Sequence, residues 1–353
     1  MEQISGWIKQ QLSNPQVVFL SAALVVLFVT IVYAGNMLAP VFAGIVIAYL
    51  LEGIIRRLGI LRLPRVIRIW IVFIAFMVFL VTTIFWLLPT LYTQMAQVVA
   101  QIPSMLSEGQ AALMTLPTEY PDLFSQEQVL EIISSLRAEL TDLGQKALTS
   151  SLYGVTSVIT LLIYVILLPI LIFFFLKDKE RILHWVRDLL PSENELAMQV
   201  WHDVDRQIGN YIRGKFWEIL IVWIASYITF SFLGLQFAML LSVLVGLSVL
   251  VPYIGAAVVT VPVVVIAYFQ WGLSNEFYYL VISYFVIQAL DGNLLVPLLF
   301  SEVVNLHPVA IIVAVLFFGG LFGLWGVFFA IPLATLVQAI MVAWPQSVEP
   351  TED

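Results

Sequence analysis

Cysteine is absent from the 353 residues, which excludes disulfides and thiolate metal sites. Histidine occurs three times, at His184, His202 and His307, and never in a metal-ligand spacing such as HExxH. No Ser/His/Asp set or pair of carboxylates stands out, so the sequence points away from an enzyme, and no metal or cofactor is expected. Charge is also scarce, at 11% of residues against about 25% in soluble proteins. Bases are the most unevenly spread: all fifteen lie at or before Lys215, and none follows from Phe216 to Asp353. A net charge of −8 excludes a nucleic-acid partner, which needs a basic face. A phosphate loop is missing too. Gly209 to Lys215 reads GxxxxGK, but Phe216 stands where Ser or Thr would hold magnesium, and a periodic helix precedes it instead of a strand. This stretch reads instead as a membrane boundary, with Arg213 and Lys215 extended to the headgroups while Phe216 and Trp217 enter the bilayer.

What is present is hydrophobic sequence: 61% of the chain, with a mean hydropathy of +1.02. So few charges cannot cover so much apolar surface in water. The fold expected is all-α, a polytopic membrane protein with about eight transmembrane helices, since a helix crosses the hydrocarbon core in roughly 20 residues. Residues 1–88 hold the first three spans, near Val17–Ala34, Leu38–Leu51 after a Gly35-Asn36 turn, and Val66–Leu88, closed by Pro89. Residues 89–150 form a polar helical insert with an amphipathic face of Val129, Ile132, Ile133, Leu136, Leu140 and Leu143. The fourth span occupies 151–176. A second polar stretch, 177–215, carries a capping-box pattern, Ser192-Glu193-Asn194-Glu195, and then Leu196, Val200, Val204, Ile208 and Ile212 at four-residue spacing. Residues 216–343 are a transport core of four hydrophobic segments, and 344–353 an acidic tail. A cytoplasmic N-terminus places thirteen bases inside against two in the 89–150 insert (Arg137 and Lys146), as the positive-inside rule requires. The C-terminus is then expected in the cytoplasm as well.

Two core segments, Phe237–Phe269 and Val309–Ala343, exceed a single crossing and must be tilted, broken or re-entrant. Both carry helix breakers: Pro252 and Gly255, then Pro262, in the first; Gly319, Gly320, Gly323 and Gly326, then Pro332, in the second. Paired interrupted segments mark the substrate site of secondary transporters. Gly319 and Gly323 also form a small-residue pair suited to close helix packing. Asp291 lies mid-span in Phe277–Phe300, where a charge costs at least ~2.5–3.5 kcal/mol. Gln288 precedes it on the same helical face, and Asp291-Gly292-Asn293 is a turn-like tripeptide. Glu302, Asn305 and His307 follow as a relay at a cavity mouth or as an ordinary interfacial loop. Glu218 opens the fifth span and could pair with Arg213 or Lys215. Asp291, Gln288, Gly292, Asn293, Glu302 and His307 are the candidate ion- or substrate-binding residues. A scaffold role, with the two polar inserts binding partner proteins, is the rival to transport.

FFFLKDKE at Phe173–Glu180, YIRGK at Tyr211–Lys215, VPYIGA at Val251–Ala256, QALDGNLLVP at Gln288–Pro297, NLHP at Asn305–Pro308 and GLWGVFFAIPLATL at Gly323–Leu336 together resemble the autoinducer-2 exporter (AI-2E) family, within it the PerM-like permeases. The resemblance implies a bacterial inner-membrane transporter that assembles as a homo-oligomer, a pentamer. It also implies either efflux of a small polar signalling metabolite or exchange of sodium or lithium for protons.

Overall fold

The computed structural model describes residues 15–119, 125, 127–131, 133–135, 154–188, 195–300 and 306–343. Among these residues the only regular structure is helical. This follows from the solvent: in hydrocarbon each backbone N–H and C=O must be satisfied within the chain, and a helix does so by itself. Six stretches are long and apolar enough to cross a membrane, namely Met37–Leu61, Arg65–Thr115, Asp205–Leu233, Ile254–Trp271, Asn275–Phe300 and Pro308–Gln338. Ser21–Gly35, Tyr164–Lys177 and Ala238–Ser248 are shorter apolar helices. The chain is therefore a multi-pass α-helical membrane protein.

Helix α1 runs from Pro15 to Arg57, 43 residues, or about 64 Å at 1.5 Å per residue. The turn expected at Gly35-Asn36 does not form. Glycine costs a helix only about 1 kcal/mol, and between two apolar stretches the intrahelical hydrogen bonds outweigh that. Its second half packs against α4 (Gly154–Lys177) through Ala48, Leu51 and Ile55 against Ile172 and Leu176. Gly44 gives Phe175 and Leu171 close approach.

Helix α2 (Arg65–Thr82) continues through a π-turn, Thr83–Leu87, into α3 (Leu88–Glu119). Pro89 therefore bends the path without closing the span. A proline lacks an N–H and its ring collides with the carbonyl four residues back, here that of Phe85. One π-turn absorbs both defects by widening the spiral locally. Helix α5 (Lys179–Asp188) follows α4.

Helix α6 (Glu195–Leu233) spans 39 residues without a break and runs through the expected 215/216 boundary between polar stretch and membrane core. The side chains of Leu196, Val200 and Val204, the capping box, residues 120–124, 126, 132 and 136–150 of the 89–150 insert (with Ile132, Leu136, Leu140 and Leu143 of its amphipathic face), Glu302 and Asn305 lie outside the described residues. Helix α6 is the hub, packing on α1, on α7 (Ala238–Ser248), on α9 (Asn275–Leu290), on the short α10 (Val296–Phe300) and on α11 (Pro308–Ala343). Two cores flank it. One joins α6 to α7, α8 (Ile254–Trp271) and α9 around Phe230, Leu241, Val263 and Leu280. The other joins it to α10 and α11 around Tyr211, Ile212, Phe300 and Ala330.

Both over-long segments fold back on themselves. Between α7 and α8 the chain leaves the helix at Val249, and Tyr253 takes a left-handed φ of 63°. Gly255 then lies directly on the Ser248 carbonyl, leaving no space for a Cβ. In α11 the backbone turns at Gly323 (φ 59°, ψ −138°), and Gly326 lies in the same way on the Phe318 carbonyl. In an unbroken helix residues 318 and 326 would stand about 12 Å apart; their contact requires a reversal. The arms of the first hairpin explain why it cannot be two crossings: α7, with 11 residues, reaches only about 16 Å.

Candidate functional site

The centre of the site is one face of α6. Lys215 is 5% exposed, Glu218 is 2% exposed, and Lys215 Nζ lies 2.7 Å from Glu218 Oε2. The same ammonium donates to the Val249 carbonyl at 2.7 Å, where the first hairpin breaks. It also stands over the Phe300 ring, 5.3 Å from its centroid. Glu218 Oε2 sits off the aligned hydrogen-bond direction and is left without an aligned donor. The expected extension of Lys215 to the headgroups is thus corrected: the unbroken α6 carries it inward, and a carboxylate and a free carbonyl receive it. Arg213, half-buried, donates to Asn210 Oδ1 at 2.7 Å. Phe216 and Trp217 do face outward, at 39% and 45% exposure.

Asp291 begins a second π-turn, Asp291–Leu295, that interrupts the helix between α9 and α10. Its cause matches that of the first. Pro297 would drive its ring into the carbonyl of Asn293, just as Pro89 would into Phe85, and in each case the π-turn ends two residues before the proline. The π-turn packs against α6 and buries Asp291 to 9% exposure, with Oδ1 lacking a hydrogen-bond partner. Lys215, Glu218 and Asp291 lie within electrostatic reach of one another. A buried cluster of two carboxyls and one ammonium therefore meets the carbonyl at a broken helix. Glycine at 214 permits this closeness, because a Cβ there would meet Phe300 Cε1 at 2.6 Å.

The other sequence candidates scatter. Gln288 turns away from Asp291 and donates to the Tyr284 hydroxyl at 3.0 Å, and Tyr284 pairs with Thr260 Oγ1 at 2.9 Å. The backbone from 288 to 291 keeps α-helical register, with the Asp291 N–H bonded to the Ile287 carbonyl; what separates the two side chains is the bond Gln288 makes to Tyr284. Asn293 is exposed and donates to the Ala289 carbonyl. Gly292 is exposed with open space around it. His307 is exposed and caps α11, its Nδ1 accepting from Val309 N at 3.2 Å, which is the interfacial-loop reading. Of the helix breakers, Gly255, Gly323 and Gly326 make the reversals, and Gly319 brings the second hairpin's arms together at Val327. Pro252 lies in the first break, while Pro262 and Pro332 stay inside α8 and α11. A Cβ at Gly320 would meet open space.

Two features escaped the sequence reading. Tyr211, four residues before Lys215 on the same face of α6, donates to the Phe328 carbonyl in the second hairpin at 3.0 Å. Its signal was available, since 211, 215 and 218 share one helical face. Glu52, 8% exposed, gathers Arg65 at 3.3 Å, Lys179 at 3.4 Å and Arg56 at 3.6 Å, pinning α1, α2 and α5 together. This node joins residues far apart in the chain, and no local pattern announces it.

The model of the AI-2E family transporters matches residues 20–346. The chain is 44% identical over 345 residues to the Escherichia coli K12 protein named "Putative permease PerM", covering 98% of both chains. Two Bacillus subtilis proteins are more distant relatives at 26% identity each. "Putative transport protein YrrI" aligns over 86% of this chain and 85% of its own, and "Putative transport protein YueF" over 72% and 70%. With the family model matched across nearly its full length and a relative 44% identical over 98% of it, the chain belongs to the AI-2E transporter family.

Proposed function

We propose that this protein is a proton-coupled secondary transporter of the bacterial inner membrane that exports a small polar molecule, with Asp291 as the coupling carboxyl. The observation that carries this reading is the Asp291 carboxyl itself. It is buried at the join of a π-turn and α6, has a free oxygen, and faces an ammonium already committed to Glu218 and Val249. A carboxyl so placed is inexpensive to bury neutral and costly to bury charged. Binding and releasing a proton therefore changes the local energy by an amount able to drive a conformational cycle. The two hairpins beside it supply unwound backbone at membrane depth, as transport sites require. The direction of transport and the homo-oligomeric state, a pentamer, come from the family resemblance. Cytoplasmic termini come from the distribution of bases.

The test is flux in proteoliposomes under an imposed pH gradient, for the wild type, Asp291→Asn and Asn293→Ala. Asp291→Asn is expected to insert normally and lose gradient-driven flux, while the exposed Asn293→Ala retains it. Wild-type flux and pH dependence in Asp291→Asn would remove Asp291 from the mechanism. One observation favours a second reading, sodium or lithium exchange for protons: a carboxyl and a carbonyl contact a single ammonium with a second carboxyl in electrostatic range, and such oxygens suit a hard cation. A pH-sensitive dye inside the vesicles separates the readings. Exchange gives a signal on adding sodium or lithium alone; export requires the organic substrate. Flux by purified protein alone counts against a purely scaffolding role.

A further inference from the structure

The YIRGK stretch, Tyr211–Lys215, is not explained by a coupling carboxyl on another helix, yet both of its end residues are buried. Each donates to one backbone carbonyl in one hairpin: Tyr211 to Phe328 at 3.0 Å and Lys215 to Val249 at 2.7 Å. Phe300, directly after the Asp291 π-turn, touches both, with its ring 5.8 Å from that of Tyr211 and 5.3 Å from the Lys215 ammonium. From this geometry we infer that Tyr211 and Lys215 form a two-point clasp holding both hairpins to α6, and that the Lys215 point opens when Asp291 gives up its proton.

The inference rests on the proposed coupling role of Asp291 and adds the residue through which it acts. With Asp291 neutral, the Lys215 ammonium is shared between Glu218 and the Val249 carbonyl. The π-turn that carries Asp291 packs against α6, so ionised Asp291 is a second buried anion in electrostatic range of the ammonium, and a charge outbids a neutral carbonyl for a charged donor. As Lys215 turns toward Asp291, the Val249 carbonyl loses its partner at the point where the first hairpin is already unwound. The Tyr211 point is neutral and stays closed. Among the described residues the other titratable groups around Lys215 are held or face elsewhere: Tyr253 in the first break is exposed and Arg213 on α6 donates to Asn210, while Glu302 lies outside the described residues. Helices α7, α10 and α11 contain none in their described lengths. On α8 the one such group is Tyr268. On α9 the titratable groups are Glu276, Tyr278 and Tyr279 near its start, and Tyr284, which is bonded to Thr260. On α1, Tyr49 bonds Asp205, and Glu52 is held by Arg65 and Lys179. Lys215 is here a positioning residue.

The cysteine-free sequence allows a direct test in the full-length protein. Ile254→Cys places one thiol at the start of α8, beside the first break, and its labelling by a water-soluble maleimide in proteoliposomes is followed against pH, corrected for the thiolate fraction of a free thiol. With Lys215 and Asp291 intact, labelling is expected to rise about tenfold toward high pH, within the range of coupling between linked sites. Asp291→Asn should hold it at the slow rate at every pH, and Lys215→Met at the fast rate. If Lys215→Met fails to insert, Lys215→Met with Glu218→Gln removes the pair without stranding a buried charge and should give the same fast, pH-independent rate. A labelling profile that keeps its pH dependence without Lys215 overturns the clasp. If Asp291→Asn abolishes flux while labelling ignores Lys215, the clasp fails and the coupling role stands. If Asp291→Asn transports normally, the coupling role fails first.

Discussion

The two hairpins reach the same backbone solution from different sequences and are fastened by different chemistry. In the first, the reversal lies at Val249–Tyr253 with proline and a strained tyrosine, and its carbonyl is held by a charged lysine. In the second, the reversal is a glycine with φ 59°, and its carbonyl is held by a neutral tyrosine. In both, a glycine just past the turn lies on a carbonyl of the incoming arm, seven positions back from Gly255 and eight back from Gly326. The shared part is steric and cannot respond to pH. The part that differs is electrostatic and can. A pair of equal hairpins thereby acquires one fixed and one responsive member.

The largest effect should come from attacking what the hairpins share. Gly255→Ala and Gly326→Ala each push a methyl into a backbone carbonyl that cannot step aside, at a cost of about 3 kcal/mol or more. Gly320→Ala and Gly292→Ala meet open space. Thermal unfolding followed by size-exclusion in detergent should show sharply reduced folded yield for the first two and near-wild-type behaviour for the others. Equal yields for all four would mean that the close approaches do not define the fold.

Smaller effects should separate the two fastenings. Lys215→Met strands Glu218 in the interior, and breaking a buried pair from one side costs roughly 3–5 kcal/mol. Tyr211→Phe leaves the Phe328 carbonyl without its donor, at about 1–3 kcal/mol. The melting temperature of Lys215→Met should therefore fall further than that of Tyr211→Phe, and adding Glu218→Gln should recover part of the loss. An equal loss in both single variants would erase the distinction between a charged and a neutral fastening.

The smallest effect on stability, and the most informative one on flux, concerns the two π-turns. Pro89→Ala and Pro297→Ala each remove the clash that widens the helix, so each should let it tighten, with stability changes within about 1 kcal/mol. Only the second rotates a buried carboxyl. Pro297→Ala should lose coupled flux and Pro89→Ala should keep it. Both retaining full flux would show that the widened turn is not needed to aim Asp291.

Much of this was readable before any coordinates. The Gly and Pro positions located both reversals, because few residues permit a left-handed turn or free a carbonyl. The cost of a mid-span charge singled out Asp291. Of the two partners the sequence offered Glu218, the structure selects Lys215; the headgroup position expected for Lys215 fails because hydropathy marks where polar sequence ends, while the physical helix runs past that mark and carries a lysine inward. Helical spacing put Gln288 and Asp291 on one face, and the backbone keeps that register; spacing could not show that Gln288 is taken by the Tyr284 hydroxyl, which comes from the same helix one turn earlier. A proline follows each π-turn by two residues, but Pro40, Pro103, Pro117, Pro169, Pro262 and Pro332 sit inside helices without one, so proline alone did not locate these two turns. The Glu52 node joins residues up to 128 positions apart, from 52 to 180 through Arg65, and only the folded chain brings them together.

Helix α6 has one further mechanical consequence. Tyr211 and Lys215 are separated by four residues, hence by only about 40° around the helix axis. Rolling or sliding the rod would strip both donors from their carbonyls at once and free the hairpins as a pair. A change at one donor alone frees a single hairpin and leaves the rod stationary. The protein thus has a common mode and a differential mode built on a single axle, and a force applied to the outer end of α6 and a proton arriving at Asp291 would address different ones.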